Sequence, residues 1–254
     1  MSWHGSGYDQ HDQNLKDQEA LRSESSEGRR FWMPAVVGDN PEKPRNEAVI
    51  SILGGIIGDD GTVTSDPFTW WEHNPKINGT YKNWHTCTRA LGGCPFCDAD
   101  PQGEQMRRYF CGGWTVIDHS EWTSKTGILV KNQKKLLVAK SDMVAVFRKK
   151  QELRGTLVGT KWHVFRSGAK KANIGDQWEF IENIDLDSSG LVDGENNPVD
   201  SGVIDYMKVL TPPTAEATQS ILNQWRPSTV GGPPSGEPAG TSGGHGQSVP
   251  YDSF

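Results

Sequence analysis

Three cysteines and a histidine fall within WHTCTRALGGCPFC, residues 84–97, and the fourth and last cysteine of the chain, Cys111, follows soon after. The spacing is C-x6-C-x2-C-x13-C. A C-x2-C pair with Gly92-Gly93 ahead of it and Pro95 inside it forms a knuckle whose backbone N–H groups can turn toward thiolate sulfur. Cys87, Cys94 and Cys97 are therefore candidate ligands for one structural zinc ion, with a fourth ligand still to be found. Cys111 would complete an all-cysteine set. His85 stands two residues before Cys87, so on a strand the two would share a face. His73 lies fourteen residues before Cys87, across the hairpin signal Asn78-Gly79. A redox pair would need a thioredoxin-like strand and helix around it, which the sequence lacks. A catalytic zinc would need a nearby general base, and neither H-x-E nor H-E-x-x-H occurs. No Walker loop, nucleophile elbow or convincing carboxylate pair is present, so the reading is non-enzymatic. DLDSSG, from Asp185, opens like a calcium loop, but its twelfth position is Asn196 and no flanking helices are expected.

The second chemistry is that of rings and cations. Ten tryptophans are many for 254 residues, and Trp84, Trp114, Trp122, Trp162 and Trp178 fall in the same central region as Tyr81, Tyr109, Phe110 and Phe165. The net charge of -6 conceals a division: Lys125 to Lys171 carries thirteen Lys and Arg against Asp142 and Glu152, while Asp176 to Asp205 carries nine acids and no Lys or Arg. A basic block inside an acidic protein suggests a local polyanion site. Exposed rings stack on bases while cations track phosphates, a combination suited to single strands with open base faces. Candidate nucleic-acid contacts are Trp84, Tyr109, Trp114, Lys125, Lys131, Lys134, Lys135, Arg148, Lys149, Lys161, Trp162, Phe165, Arg166, Lys170 and Lys171. Alternation in KWHVFR sends Lys161, His163 and Phe165 to one face and Trp162, Val164 and Arg166 to the other, so either would present a ring beside a cation. Most of the aromatic residues are nonetheless expected in the core.

The elements that must position these groups are mostly short strands. EAVISILGG, the two aromatic runs around Asn78-Gly79, RRYFCGGWTVID, KKLLVA and the hairpin around RSGAKK all read as strands, with Gly112-Gly113 marking a bulge or a close backbone approach. SDMVAVFRKKQELRG reads as a helix capped by Ser141, with Val144 and Phe147 on one face and Gly155 at its end. Strands with one helix and a cysteine-rich insertion predict a mainly β fold, a small OB-fold-like barrel carrying a zinc subdomain over about residues 73–111. That domain is expected over 29–210. It follows a polar, unstructured arm over 1–28 and precedes a short helix over 211–226. Residues 227–254 are rich in Gly, Pro and Ser and read as a flexible tail, yet they end in VPYDSF, where Tyr251, Asp252 and Phe254 could dock on a partner protein. No apolar run approaches 18 residues and no export signal is visible, so no membrane association and a cytoplasmic location are expected.

The order His73, KINGTYKNWHTC, CPFC and YFCGGWTVID resembles the zinc-containing single-stranded DNA-binding proteins of tailed bacteriophages, over about residues 31–183 and including WHVFRSGAKKANIGDQWEF. The resemblance implies an oligonucleotide-binding barrel acting in DNA replication and recombination within the host cytoplasm. It also implies a zinc ion held by one upstream histidine and three cysteines, which falls on His73, Cys87, Cys94 and Cys97. A tail tip that docks on replication or recombination proteins is implied as well, although this one carries a single acid, Asp252. The rival readings are a zinc-ribbon adaptor that binds proteins and a binder of single-stranded RNA.

Overall fold

The computed structural model describes Arg30, Phe31, Met33 and residues 46–77, 80–81, 84–123, 127–168, 170–186 and 190–225. In chain order the elements are β1 Glu47–Gly54, β2 Phe68–His73, β3 Lys76–Ile77, β4 Thr80–Tyr81 and β5 His85–Thr86, then a 3-10 turn Arg89–Leu91 and helix α1 Pro95–Ala99. They continue with β6 Arg108–Asp118, β7 Trp122–Thr123, β8 Leu129–Val130, β9 Gln133–Lys140, α2 Ser141–Arg154, β10 Thr160–Phe165, β11 Gln177–Asn183, α3 Tyr206–Val209 and α4 Ala215–Gln224.

A seven-stranded antiparallel sheet runs β11-β10-β1-β6-β2-β5, with β9 on the other side of β6. β6 is the axis. Its first half pairs with β2, from His73↔Arg108 to Phe68↔Gly113, and its second half pairs with β1, from Gly54↔Thr115 to Ile50↔Asp118. β9 runs along the opposite edge from Cys111↔Lys140 to Asp118↔Gln133. The register passes through Gly112 and Gly113 without a shift, so these glycines mark close approach and not a bulge. A Cβ on Gly112 would meet Val144 of α2 at 2.9 Å, and one on Gly113 would meet the Trp70 ring at 2.7 Å. The sheet is thus packed tightly on both faces here.

One face carries the main core: Ile50, Ile52, Trp114, Val116, Leu137, Trp162, Val164 and Trp178 pack under Phe147, with Val144 beside it. Alternation along these strands sends their β-branched and aromatic residues to that side. The other face buries Trp70, Cys111, Leu136 and Val138 under Ile204, Tyr206 and Leu210. Helix α2 starts at Ser141 as a residue of the helix; Lys140 holds the N-cap position and no side chain caps it. Gly155 ends it in a positive-φ conformation, as expected. The β3–β4 hairpin pairs Ile77 with Thr80, the register a two-residue connection requires; Asn78 and Gly79 themselves lie outside the described residues.

The fold is mainly β, but no pairing among the described residues joins β9 to β11, so strand pairing does not close a barrel. Part of that gap is occupied by Arg30, Phe31 and Met33. Arg30 forms a parallel bridge with Leu136 of β9, Phe31 N–H donates to the Leu136 carbonyl at 2.8 Å, and Met33 N–H donates to the Asn173 carbonyl at 2.8 Å. Phe31 and Met33 are buried in the main core.

Candidate metal centre and aromatic faces

β2 ends in His73, and β3–β5 return the chain so that Cys87 follows directly, its N–H donating to the Trp71 carbonyl. The 3-10 turn and Gly92 in a left-handed conformation then lead into α1, with Cys94 at the N-cap and Cys97 in its first turn. The donor atoms of His73, Cys87, Cys94 and Cys97 all lie within 4.8 Å of one another. His73 Nε2 is 3.4 Å from Cys94 Sγ and 3.5 Å from Cys97 Sγ, while Cys87 Sγ and Cys97 Sγ are 3.8 Å apart. Four ligands on a tetrahedral zinc would stand roughly 3.5 Å apart for N and S and about 3.8 Å for two sulfurs. The donor set fits such an ion. His73 Nδ1–H donates to the Met106 carbonyl at 2.8 Å, which leaves Nε2 unprotonated and facing the sulfurs. Burial lowers the His73 pKa from its ordinary value, favouring the neutral imidazole that ligates.

Cys111 stands apart. It lies on β6 and pairs with Trp70 of β2, on the sheet face opposite His73, and burial pushes its thiol pKa up. His85 sits across from His73 in the β2–β5 pair, but β5 ends before Cys87, and its ring packs 5.4 Å from Phe96 outside the donor cluster.

Beside this centre the β2–β6 ladder carries aromatic residues on both faces. On the His73 face, Trp71 is 39% exposed, Phe110 meets it edge-on at 5.4 Å, and the Arg108 guanidinium lies 4.0 Å over the Trp71 ring. On the other face, Trp84 and Tyr109 meet edge-on at 5.7 Å. Lys140 Nζ lies 4.0 Å from the Trp84 centroid and 3.8 Å from that of Tyr109. Arg30 and Arg107 flank the same rings at 5.7 and 5.5 Å. Burial lowers the Lys140 pKa, the nearby Cys111 and Glu72 opposing that shift. Arg30 grips Glu72 through two hydrogen bonds, at 3.1 and 2.6 Å.

The other sequence candidates divide by burial. Trp114 is 1% and Trp162 3% exposed; they are core rings and present no face to a base. Trp114 Nε1 donates to the Ser65 carbonyl and Trp162 Nε1 to Thr160 Oγ1. Arg166 is buried and donates to the Met33 carbonyl, and buried Lys134 is paired with Asp200, so neither is presented to a phosphate. The Trp162 side of the β10 alternation therefore points inward. Lys135 pairs with Asp118, Lys161 with Glu182 and Lys149 with Glu152. Arg148, Lys170 and Lys171 are exposed, and Lys131 and Phe165 half-buried. Lys125, Tyr251, Asp252 and Phe254 lie outside the described residues, as do the arm over 1–28 and the tail over 227–254. The exposed indole of Trp71 and the cations Arg30, Arg107, Arg108 and Lys140 were missed. FTWWEH and RRYF held the signal, because alternation along each strand must turn one of two adjacent large residues outward.

Ser51 Oγ lies 2.7 Å from His119 Nε2, and His119 Nδ1 2.8 Å from Asn132 Oδ1. Asn132 Nδ2 donates to the Val192 carbonyl, so its Oδ1 accepts from Nδ1–H and Nε2 accepts from the serine. Ser51 is wholly buried, and the relay braces β1 against the start of β9. No helix among the described residues is long and apolar enough to cross a membrane. Comparison with protein-family models gives no match, and no curated protein matches the sequence.

Proposed function

We propose that this chain binds single-stranded DNA with little sequence preference, in replication and recombination, and that its metal is one structural zinc ion. The observation that carries the reading is the pairing of rings with cations on both faces of the β2–β6 ladder, beside the metal centre. Such a surface offers π faces to bases and positive charge to phosphates, which every single strand presents whatever its sequence. Zinc fits three thiolates and one imidazole better than a harder cation would, and its role here is to hold the β3–α1 segment, whose own core is small. The connectivity also supports an OB-like reading: β1, β6 and β9 form a meander, α2 follows, and the β10–β11 hairpin returns to β1. Binding to the open strand would shift duplex equilibria toward melting. In line with the resemblance to phage proteins, the proposal sets this activity in the host cytoplasm, with the tail tip of Tyr251, Asp252 and Phe254 recruiting partner proteins.

The test is tryptophan fluorescence during titration with poly-dT, at low and then high salt, with a matched RNA oligomer as competitor. Quenching that weakens with salt, and DNA outcompeting RNA, is the expected result. Preferential RNA binding would change the substrate. An absence of binding at low salt would leave a metal-stapled adaptor and end the single-strand reading.

A further inference from the structure

Helix α4 packs against the metal centre. Ile221 and Leu222 of α4, and Trp225 just beyond it, pack on a third hydrophobic cluster formed by Ile77, Cys94, Phe96 and Met106, with Cys87, Cys97 and Ala99 at its margin. Three of those residues are metal ligands. Trp225 Nε1 donates to Gln105 Oε1 at 2.8 Å. Gln105 lies in a loop gathered by Asp100, whose carboxylate accepts from the N–H groups of Gly103, Gln105 and Met106. α1 has five residues, too few to persist as a helix without tertiary support; that support comes from Cys94 and Cys97 in the donor cluster and from Phe96, buried in the third hydrophobic cluster. Immediately upstream of α4 the chain is anchored differently: Tyr206 and Leu210 are buried in the second cluster, and Pro212-Pro213 separate that anchor from Thr214, the N-cap of α4.

We infer that metal occupancy latches α4 to the protein. Without the ion, α1 and the 100–106 loop lose their form, the platform under Ile221, Leu222 and Trp225 dissolves, and the chain is released from Pro213 onward while the sheet stays folded. The latch would fix the position of Trp225, the last described residue. This rests on the metal reading above.

Hydrogen exchange measured by mass spectrometry on the full chain tests it, with zinc bound and after stripping by a chelator. Zinc content is measured first. The expected result is one zinc per chain. On stripping, amides of 215–224 and of 84–107 should exchange about tenfold faster or more, with β1 and β10 unchanged. In Trp225→Ala with zinc retained, 215–224 should exchange faster while 84–107 stays protected. No zinc bound after reconstitution would defeat the metal centre itself. Zinc bound, but 215–224 equally protected after its removal, would overturn the latch alone. So would a loss of protection that spreads across β1 and β10, because the sheet would then depend on the ion too.

Discussion

Trp71 and Trp162 are both strand tryptophans near cations, yet one is 39% exposed and the other 3%, and this contrast separates binding from stability. Trp71→Ala should weaken binding to oligo-dT by about 1–3 kcal/mol, roughly 5- to 150-fold, with little change in thermal stability. Trp162→Ala opens a hole in the main core and should cost about 3–5 kcal/mol of folding free energy, read by denaturant melts. Equal losses of binding in the two would defeat the assignment of Trp71. The cysteines divide in the same way. Losing an outer-shell partner already costs metal sites about 10- to 100-fold in affinity, so Cys97→Ser should exceed that and lose stoichiometric zinc. Cys111→Ser should retain it, because Cys111 stands on the opposite sheet face; metal analysis of the purified variants decides. The three clustered cysteines were legible from spacing alone. The choice of His73 over Cys111 follows from the resemblance and not from spacing, because it depends on which sheet face each side chain occupies, and that is fixed by the register of β2 on β6; His85 shares the His73 face and is set apart instead by its seat against Phe96. The same limit explains the misplaced Trp114 and Trp162: alternation shows that two faces exist without showing which is covered.

At the scale of elements, most strands and both longer helices were readable, since their alternation, turn residues and terminal glycine are local signals. What could not be read was the seating of Arg30 and Phe31 against β9, a contact between segments far apart in sequence with no periodic mark. Its polar anchor is the Arg30–Glu72 pair, in which the carboxylate side chain is 1% exposed. Arg30→Ala leaves that charge buried without its ion pair, beside Trp70 Nε1 at 3.4 Å and near Cys111 and Lys140, and should cost about 3 kcal/mol in a denaturant melt. An unchanged midpoint would show that the segment detaches freely. The Ser51–His119–Asn132 brace gives a pH dependence. Burial holds His119 below the ordinary histidine range, so the unfolded chain takes up its proton first as pH falls. The stability it contributes is complete above about pH 6.5 and declines below, as pH drops toward the folded value. Melting curves from pH 7.5 to 5.5 should show this decline, and His119→Gln should flatten part of it. An identical slope in the variant would assign the effect to other histidines.

For the whole molecule, the charge division decides how a polyanion is met. The cations beside the Trp71, Trp84 and Tyr109 rings, Arg30, Arg107, Arg108 and Lys140, come from three separate stretches of chain; Arg30 is itself paired with Glu72, and several lysines of the dense central block are spent on Asp118, Glu182, Glu152 and Asp200. Fewer phosphates should therefore be neutralised than thirteen basic residues suggest. The logarithm of affinity for single-stranded DNA should fall against the logarithm of salt with a slope of about -2 to -4, at about -0.7 per phosphate. A slope near zero would remove the electrostatic half of the proposal, and one near -9 would restore the whole basic block to the interface. The seating of Phe31 on Leu136 has its own consequence in time. The acceptor lies more than a hundred residues downstream, and at synthesis rates of about 5–20 residues per second the ribosome needs roughly 5–20 s to deliver it. Through that interval Phe31 and Met33 have no groove to enter. A nascent chain halted before β9 should therefore leave them open to holding chaperones and proteases, and only a chain that has passed Asn173 can protect its own beginning.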